Sequence, residues 1–164
     1  MITEAVVTLP ISTISSKCID ITLRISADEN EVHAISVEKE KKATINNSSY
    51  PEIINRTKSQ LQEYFSGTRQ TFDLPINTTQ GTDFQRRVWA ALRDIPYGET
   101  KTYGEIAKIV GCPNGARAVG MACNKNPLLI LTPCHRVIGS SGALTGFACG
   151  LDIKEILLEI EKNI

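Results

Sequence analysis

Apolar and polar positions alternate in two short segments of the first half of the chain. In residues 18–25 every second side chain is apolar, from Ile19 to Ile25, which is the pattern of a strand with one buried face. A polar loop at 26–31 separates this segment from residues 32–37, which we expect to form its hairpin partner. The pattern therefore predicts a small sheet, followed by a polar loop at 38–49.

After Pro51, the spacing of the apolar residues changes from the alternation of a strand to the repeat of a helix. Apolar residues between Ile53 and Phe65 recur on one helical face, and Gly67 stands where a glycine commonly ends a helix. The segment 68–81 contains proline, glycine and several threonines and asparagines, so we expect it to connect the two halves of the chain.

Two signatures of helix N-termini occur in the second half. Thr82 with Gln85 and Thr102 with Glu105 each have the spacing of a capping box, in which two side chains cap the free backbone N–H groups of a first turn. The first of these helices is expected to end at residues 95–98, with an apolar stripe of Phe84, Val88, Ala91 and Leu92. The apolar face of the second comprises Ile106, Ala107, Ile109 and Val110.

A turn at 111–114 leads into a helix of small residues at 115–125, which Asn114 is expected to cap. Helix, short glycine-containing turn and helix is the order of a helix-turn-helix motif, an order that structural helical hairpins share. A last helix at 152–162 is predicted to pack through Ile153, Ile156, Leu157 and Ile160. The elements predict an α+β protein of two domains, residues 1–78 with the connector and residues 79–164.

Composition and charge exclude several classes of protein. The 164 residues contain no apolar run of membrane-spanning length and no secretory signal, which predicts a cytoplasmic chain. The five cysteines are odd in number and no two are separated by two residues, so neither a disulfide framework nor a thiolate zinc site is expected. Net charge is zero, but residues 101–136 form a basic segment, a pattern typical of nucleic-acid surfaces and also of ordinary solvated faces. Its bases are Lys101, Lys108, Arg117, Lys125 and Arg136.

The most informative segment ends in a cysteine, a histidine and an arginine. Mainly apolar residues at 126–133 lead to Cys134, His135 and Arg136. A cysteine is nucleophilic as its thiolate, and a nearby base or cation favours that form. Because adjacent side chains usually point apart, His135 would act on Cys134 through a water. A buried structural cysteine beside a hydrogen-bonded histidine has the same local sequence, so the pair alone does not establish any chemistry.

Glu161 follows Leu157 by four residues and therefore shares the inward face of the last helix. A carboxylate directed at the core needs a partner, and His135 would be oriented by it as a histidine is in a catalytic triad. The alternative is a frayed last turn with Glu161 in solvent, and the residues favour neither interpretation.

Short sequence blocks at fixed spacings fill the second half. They are RAVG at 117–120, NP at 126–127, PCHRVI at 133–138, GALTGF at 142–147, GL at 150–151 and LL at 157–158. Together they closely resemble the O6-alkylguanine-DNA alkyltransferase family, the methylated-DNA–protein-cysteine methyltransferases, from about Phe84 to Glu161. Residues 1–50 match only in length and in being strand-like. The resemblance implies a ribonuclease-H-like α/β N-terminal subdomain with a small antiparallel-containing sheet. It also implies a mainly helical, winged-helix-like C-terminal subdomain.

The resemblance implies repair of DNA by direct reversal. Cys134 would take the alkyl group from guanine O6 by in-line displacement, once per molecule, because the thioether formed is not easily cleaved. His135 would act as the base through water, with Glu161 behind it. Asn126 would brace the active-site turn, and Tyr103 would donate a proton or hydrogen bond to the leaving guanine unless it merely packs on the core. Such a transfer needs no metal or organic cofactor.

The implied partner is double-stranded DNA containing O6-alkylguanine, with O4-alkylthymine as a further possible lesion. The helix at 115–125 would enter the minor groove, and Arg117 would fill the space left by a flipped nucleotide. Small residues keep this helix slim, although they also serve plain helix packing. The DNA contacts implied are Arg117, Ala118, Gly120, Ala122, Lys125 and Arg136. A monomer suffices for this function, and no membrane is involved.

The pocket for the base is expected to include Tyr103, Phe147, Ala148 and Cys149. Phe147 stands where relatives often carry tyrosine, so an aromatic wall is kept. Cys149 stands where glycine is common, and its side chain is expected to narrow the pocket against bulky adducts such as benzyl. A zinc site near the N-terminus is not expected, because Cys18 and His33 alone are too few ligands.

Three other functions use overlapping features. A lesion-sensing DNA-binding protein on the same fold would lack alkyl transfer, but such relatives replace the cysteine. A cysteine hydrolase would pair Cys134 with His135 or His33 and turn over an acyl substrate without DNA. A transcription regulator would bind duplex DNA sequence-specifically through the helix-turn-helix, which one small recognition helix does not favour.

Overall fold

The computed structural model describes residues 1–12, 18–39 and 50–162, which form two compact units, Met1–Asn77 and Thr78–Lys162. Most of the loop predicted at 38–49 lies outside the described residues. The first unit contains a three-stranded antiparallel sheet in the order β1-β2-β3 and one helix. Its elements are β1 Thr3–Ser12, β2 Cys18–Ala27, β3 Val32–Val37 and α1 Glu52–Phe65.

The predicted hairpin of the first unit is confirmed. Strands β2 and β3 pair antiparallel, with Leu23 opposite Val37 and Ile25 opposite Ile35. The buried side of the sheet is the apolar face that the alternation predicted, and Leu23 and Ile25 are fully buried.

Strand β1 was not predicted. It pairs antiparallel with β2 along its whole length, and Ala5, Val7, Leu9 and Ile11 are buried. Pro10 interrupts the pattern of a strand, but β1 is an edge strand, where a residue without a backbone N–H is tolerated. The alternation of apolar residues was therefore a valid signal in this segment.

Helix α1 confirms the prediction in position and in its buried face. Pro51 is its N-cap residue, and Ile54, Leu61 and Tyr64 have no exposed surface. Gly67, just beyond its end, has a φ of 76°, a left-handed conformation that favours glycine.

The second unit is mainly helical. Its helices are α2 Asp83–Arg93, α3 Tyr103–Ile109, α4 Ala116–Asn124 and α5 Leu151–Lys162. Two short strands, β4 Lys101–Thr102 and β5 Val137–Ile138, pair in parallel, and a 3₁₀ turn, Cys134–Arg136, precedes β5. Both predicted capping boxes are present, at the starts of α2 and α3. The α+β class and the order helix, turn, helix are thus confirmed.

The core of the second unit lies between α2, α3 and α4. Val88, Leu92 and Ile106 have no exposed surface there. Trp89 was missing from the predicted stripe of α2, yet it is buried and its indole N–H donates to the carbonyl of Ala122 on α4, with Nε1 and O 2.9 Å apart. This bond fixes α4 against α2.

Three predictions for this unit were wrong. Ile109 is 58% exposed because it ends α3 on the side away from the core. Gly115, not Asn114, occupies the N-cap position of α4, and no side chain caps that helix. The predicted face of α5 is wrong in part, because Leu157 and Ile160 are buried as predicted but Ile153 is only half-buried and Lys154 is fully buried.

None of the helices in the described ranges combines the length and the apolar character needed to cross a membrane.

Candidate functional site

The chain reaches Cys134 through a series of tight turns, because the apolar run at 128–131 forms no strand or helix. All four of its side chains are buried. Ile130 has a φ of 71° and is the one residue other than glycine with a positive φ among those described. A β-branched residue adopts this conformation only where its surroundings enforce it. The backbone before Cys134 is therefore held by the packing of these apolar side chains.

Asn126 connects the two ends of these turns. Its Oδ1 accepts from the N–H of Leu128 at 2.9 Å, and its Nδ2 donates to the carbonyl of Thr132 at 2.8 Å. The same Nδ2 lies 3.3 Å from the Sγ of Cys134 and donates to it. One amide side chain thus fixes both the turn and the sulfur.

Cys134 begins the 3₁₀ turn and is 5% exposed. Burial raises the pKa of its thiol to about 11, and the hydrogen bond from Asn126 and the charge of Lys154 only partly oppose this effect. At neutral pH the sulfur is therefore protonated, so a reaction at Cys134 requires a base that removes this proton.

Behind Cys134 lies a buried group of three charged or ionisable side chains. The Nε2 of His135 is 2.7 Å from one carboxylate oxygen of Glu161. Arg136 donates to both oxygens of the same carboxylate, from Nε at 2.9 Å and from Nη2 at 3.0 Å, and its Nη1 donates to the carbonyl of Ile95. Glu161 is 3% exposed, which contradicts the interpretation of a frayed last turn.

The protonation of this group follows from its contacts. Burial alone would raise the pKa of Glu161, but its bonds with His135 and Arg136 outweigh burial and lower that pKa to about 2. Burial lowers the pKa of His135, against the opposing effect of Glu161. An ionised Glu161 beside a neutral His135 is therefore the form at neutral pH, with the imidazole proton on Nε2 facing the carboxylate.

Lys154 is a member of the site that the sequence analysis missed. The side chain is fully buried, and its ammonium group donates to the carbonyls of Val137 and, at 3.0 Å, Thr145. Its Nζ lies 5.7 Å from the ring centre of Tyr103 and 5.9 Å from that of Phe147. The lysine therefore joins α5 to β5 and to the loop of residues 139–150. The sequence contains a signal for Lys154 as a site residue, since it lies seven residues before Glu161 and shares its helical face.

Tyr103, the first residue of α3, faces a cleft of ≈ 440 Å³. Its hydroxyl donates to the carbonyl of Thr145 at 2.8 Å. Burial raises the pKa of Tyr103 to about 12, so the phenol stays protonated. Arg117, Gly120 and Gly146 also line the cleft, which places part of α4 opposite the loop of residues 139–150.

The structure separates the predicted DNA contacts into two groups. Arg117, Ala118 and Lys125 are exposed on α4 or at its end, and Gly120 is half-buried beside the ring of Tyr103. Ala122 is 2% exposed and packs inward, so the prediction that it touches DNA is wrong. The same correction applies to Arg136, which is 7% exposed and bound to Glu161.

The three predicted pocket residues after Gly146 differ in placement. Phe147 packs against the core of this unit, whereas Ala148 is exposed. Cys149 is half-buried, and its charge in the thiolate form contributes to the raised pKa of Cys134. The exclusion of bulky adducts by Cys149 stays a prediction.

One group of possible metal ligands lies in the first unit. The ligand atoms of Asp28, Glu31 and His33 lie within 4.8 Å of one another. His33 Nε2 and Asp28 Oδ2 are 2.9 Å apart, and Glu31 accepts a hydrogen bond from Asn77. These bonds account for the positions of the side chains, so the group by itself does not assign a metal.

Two family models match this chain. Residues 83–163 match the model of the 6-O-methylguanine DNA methyltransferase DNA binding domain. Residues 18–78 match the model of the 6-O-methylguanine DNA methyltransferase ribonuclease-like domain.

Relatives and solved structures agree with these models. The methylated-DNA–protein-cysteine methyltransferase of Methanosarcina mazei is 50% identical over 142 residues, which are 85% of this chain and 89% of that protein. The constitutive enzyme of that name from Bacillus subtilis is 46% identical over 147 residues, 85% of this chain and 88% of that protein.

A crystal structure of Mycobacterium tuberculosis OGT in complex with DNA has a TM-score of 0.77 and 39% identity, covering 94% of this chain and 92% of that one. Sequence and structure lead to one conclusion: the chain belongs to the 6-O-methylguanine DNA methyltransferase family.

Proposed function

We propose that this chain repairs DNA by transferring the methyl or other alkyl group from guanine O6 to the sulfur of Cys134, once per molecule. The observation that carries the proposal is that Asn126 donates to the sulfur of Cys134, while the next residue in the chain, His135, is paired with the buried carboxylate of Glu161. Family membership supplies the reaction class, since the relatives bear the name methylated-DNA–protein-cysteine methyltransferase.

The proton of the thiol would leave through His135. Because Nε2 of the imidazole faces the ionised Glu161, Nδ1 is the nitrogen that accepts a proton from Cys134, through a bridging water. Glu161 then stabilises the imidazolium, as the third group of a triad does. The S–H bond breaks, the sulfur attacks the alkyl carbon in line, and the bond from that carbon to O6 breaks as the C–S bond forms.

Tyr103 would act on the leaving guanine. Its raised pKa keeps the phenol protonated, so it is a hydrogen-bond donor or proton donor as negative charge develops on the base. In the structure this hydroxyl donates to Thr145 and faces the cleft between α4 and the loop of residues 139–150. A bound base would replace Thr145 as the acceptor.

DNA would approach the exposed face of α4. An alkylated guanine inside a duplex is out of reach of Cys134, so the nucleotide must be extruded. We propose that α4 enters the minor groove and that Arg117, which is exposed and lines the cleft, fills the space that the nucleotide leaves. The first unit would support the second without supplying reacting groups, and the chain would act as a monomer.

The competing functions fit the site less well. A lesion sensor has no use for a cysteine held by Asn126 in front of a histidine and a carboxylate. A hydrolase built on Cys134 and His33 is not supported, because His33 Nε2 is already bonded to Asp28 at 2.9 Å.

The test is to mix the protein with a duplex that contains one O6-methylguanine and to record the intact protein mass. We expect the gain of one methyl group in place of a hydrogen, saturating at one equivalent and mapped to Cys134 by peptide mass spectrometry. Cys134→Ala and an unmodified duplex are the controls, and neither should give a mass gain. Tight lesion binding without a mass gain would favour the sensor. A duplex with O4-methylthymine in the same assay tests that lesion.

A further inference from the structure

Helix α4 presents a large apolar side chain to solvent at the middle of its exposed face. Met121 is 70% exposed, whereas Val119, Ala122 and Cys123 on the same helix are buried. The core of the second unit therefore does not use Met121. Single exposed apolar residues are common on protein surfaces, so the position of Met121 among its neighbours has to carry any further meaning.

The neighbours of Met121 are positively charged. Residues four apart lie next to each other on a helix surface, and Met121 follows Arg117 and precedes Lys125 by four residues each. Both cations are exposed, and α4 contains no acidic residue. Arg117 and Gly120 also line the cleft beside Tyr103. The exposed stripe thus consists of cation, thioether and cation, and its first member, Arg117, lines the cleft.

We propose that Met121 is a sequence-independent DNA contact, which packs against the deoxyribose walls of the groove that α4 enters. The inference rests on the proposed function and adds a residue to its binding surface. Duplex DNA fits this stripe because its negative charge complements both cations, Arg117 in the space of the extruded nucleotide and Lys125 at the phosphates. The sugars of the groove offer apolar surface to the side chain between the two cations.

The chemistry of methionine suits a repair protein. A thioether offers no strong hydrogen-bond donor or acceptor, so it does not read the pattern of base edges that distinguishes one sequence from another. The side chain is unbranched and flexible, so it adapts to grooves of differing width. A contact of this kind adds affinity equally at every sequence in which a lesion occurs.

The test is equilibrium binding of the full chain to a duplex with one O6-methylguanine, over a series of salt concentrations, with Cys134→Ala in every protein so that no transfer consumes the lesion. Met121→Ala should weaken binding about tenfold, because apolar contact is lost, and should leave the salt dependence unchanged. Lys125→Ala should instead lower the slope of log K against log salt by about one. Met121→Lys should steepen that slope.

The matched control is Ile109→Ala, which removes an apolar side chain of similar exposure from α3. It should bind as the parent protein does. Alanine favours helices, so Met121→Ala is expected to stay folded, which circular dichroism would verify. The proposal is overturned if Met121→Ala binds as tightly as the parent, or if Ile109→Ala loses as much affinity. A wild-type chain that binds the duplex without gaining a methyl group would contradict the proposed function alone, since these binding results do not depend on transfer.

Discussion

Burial raises the pKa of both Cys134 and Glu161, but the net shifts have opposite directions because the hydrogen bonds of the two groups differ. At the thiol, one hydrogen bond from Asn126 does not compensate for lost solvation, so the proton stays on sulfur. At the carboxylate, His135 together with Nε and Nη2 of Arg136 supplies bonds that outweigh burial. An ionised carboxylate is thus kept beside His135, the residue that follows the thiol, which is the arrangement that a base-assisted transfer requires.

The raised pKa of Cys134 predicts how its reactivity depends on pH. Below a pKa of about 11 the thiolate fraction rises about tenfold for each pH unit, and only the thiolate reacts with iodoacetamide. Labelling of Cys134 should therefore accelerate throughout the range from pH 7 to 10. Peptide mass spectrometry measures the rate at this cysteine alone, and Cys134→Ala identifies its signal. A rate that levels off below pH 9 would contradict the prediction.

Glu161 predicts a loss of stability in acid. Its folded pKa of about 2 lies below the ordinary value of 4.5, so the stabilisation is complete above pH 4.5 and is lost as the pH falls toward 2. Glu161→Gln leaves Arg136 buried without a counterion and should cost about 3–5 kcal/mol at pH 7. Urea unfolding should show that the difference in free energy of unfolding between wild type and variant becomes smaller as the pH falls from 4.5 to about 3. Glu155→Gln, at an exposed position of α5, is the control and should have the stability of the wild type at each pH. If the stability difference between wild type and Glu161→Gln did not depend on pH, the low pKa of Glu161 would be refuted.

Helix α5 serves the site through one of its faces. Lys154 and Glu161 are two turns apart, and both bind the segment 134–137. Lys154 donates to the carbonyl of Val137, and the carboxylate of Glu161 binds the side chains of His135 and Arg136. Lys154 also reaches Thr145, so the loop of residues 139–150 is attached to the same helix that orients His135. The helix therefore couples the position of the loop, and of the Tyr103 hydroxyl bonded to it, to the turn that holds Cys134.

Replacement of Lys154 by methionine tests this coupling. Lys154→Met keeps the length of the side chain but removes the ammonium group. The carbonyls of Val137 and Thr145 then lose the hydrogen-bond donor that they share. We expect a loss of about 1–3 kcal/mol in stability and a transfer rate about ten- to a hundredfold lower, because the loop shifts. Single-turnover rates with the O6-methylguanine duplex and urea midpoints measure the two effects. Lys162→Met, exposed on the same helix, is the control, and equal rates for both variants would show that Lys154 has no positioning role.

The sequence predicted those helices and strands whose signals lie within a few consecutive residues. Alternation defined β2 and β3, and the capping boxes located α2 and α3 to the residue. The errors have non-local causes. A lysine is read as a solvent-facing residue, and Lys154 is buried only because oxygens from β5 and a distant loop accept its protons. Arg136 was expected on the surface for the same reason, since its partner Glu161 lies 25 residues away.

All the residues of the candidate site described around Cys134 lie in one unit of the molecule. Asn126, Cys134, His135, Lys154 and Glu161 all lie within Thr78–Lys162, and this unit has its own apolar core around Val88, Leu92, Ile106 and Val119. The family model for DNA binding covers nearly the same residues. This distribution fits the proposal that the second unit both binds DNA and reacts, while the first unit contributes to stability or folding.

A fragment of residues 78–164 tests this division. It should fold cooperatively, because its core is internal, and should gain one methyl group at Cys134 from an O6-methylguanine duplex. A domain of this size buries a smaller fraction of its surface than the full chain, so its unfolding midpoint should be lower. Circular dichroism melting and intact mass measure the two properties, with the full chain and the Cys134→Ala fragment as references. A fragment that folds but is not methylated would show that the first unit takes part in the reaction, whereas one that does not fold would make that unit a requirement for the structure of the site.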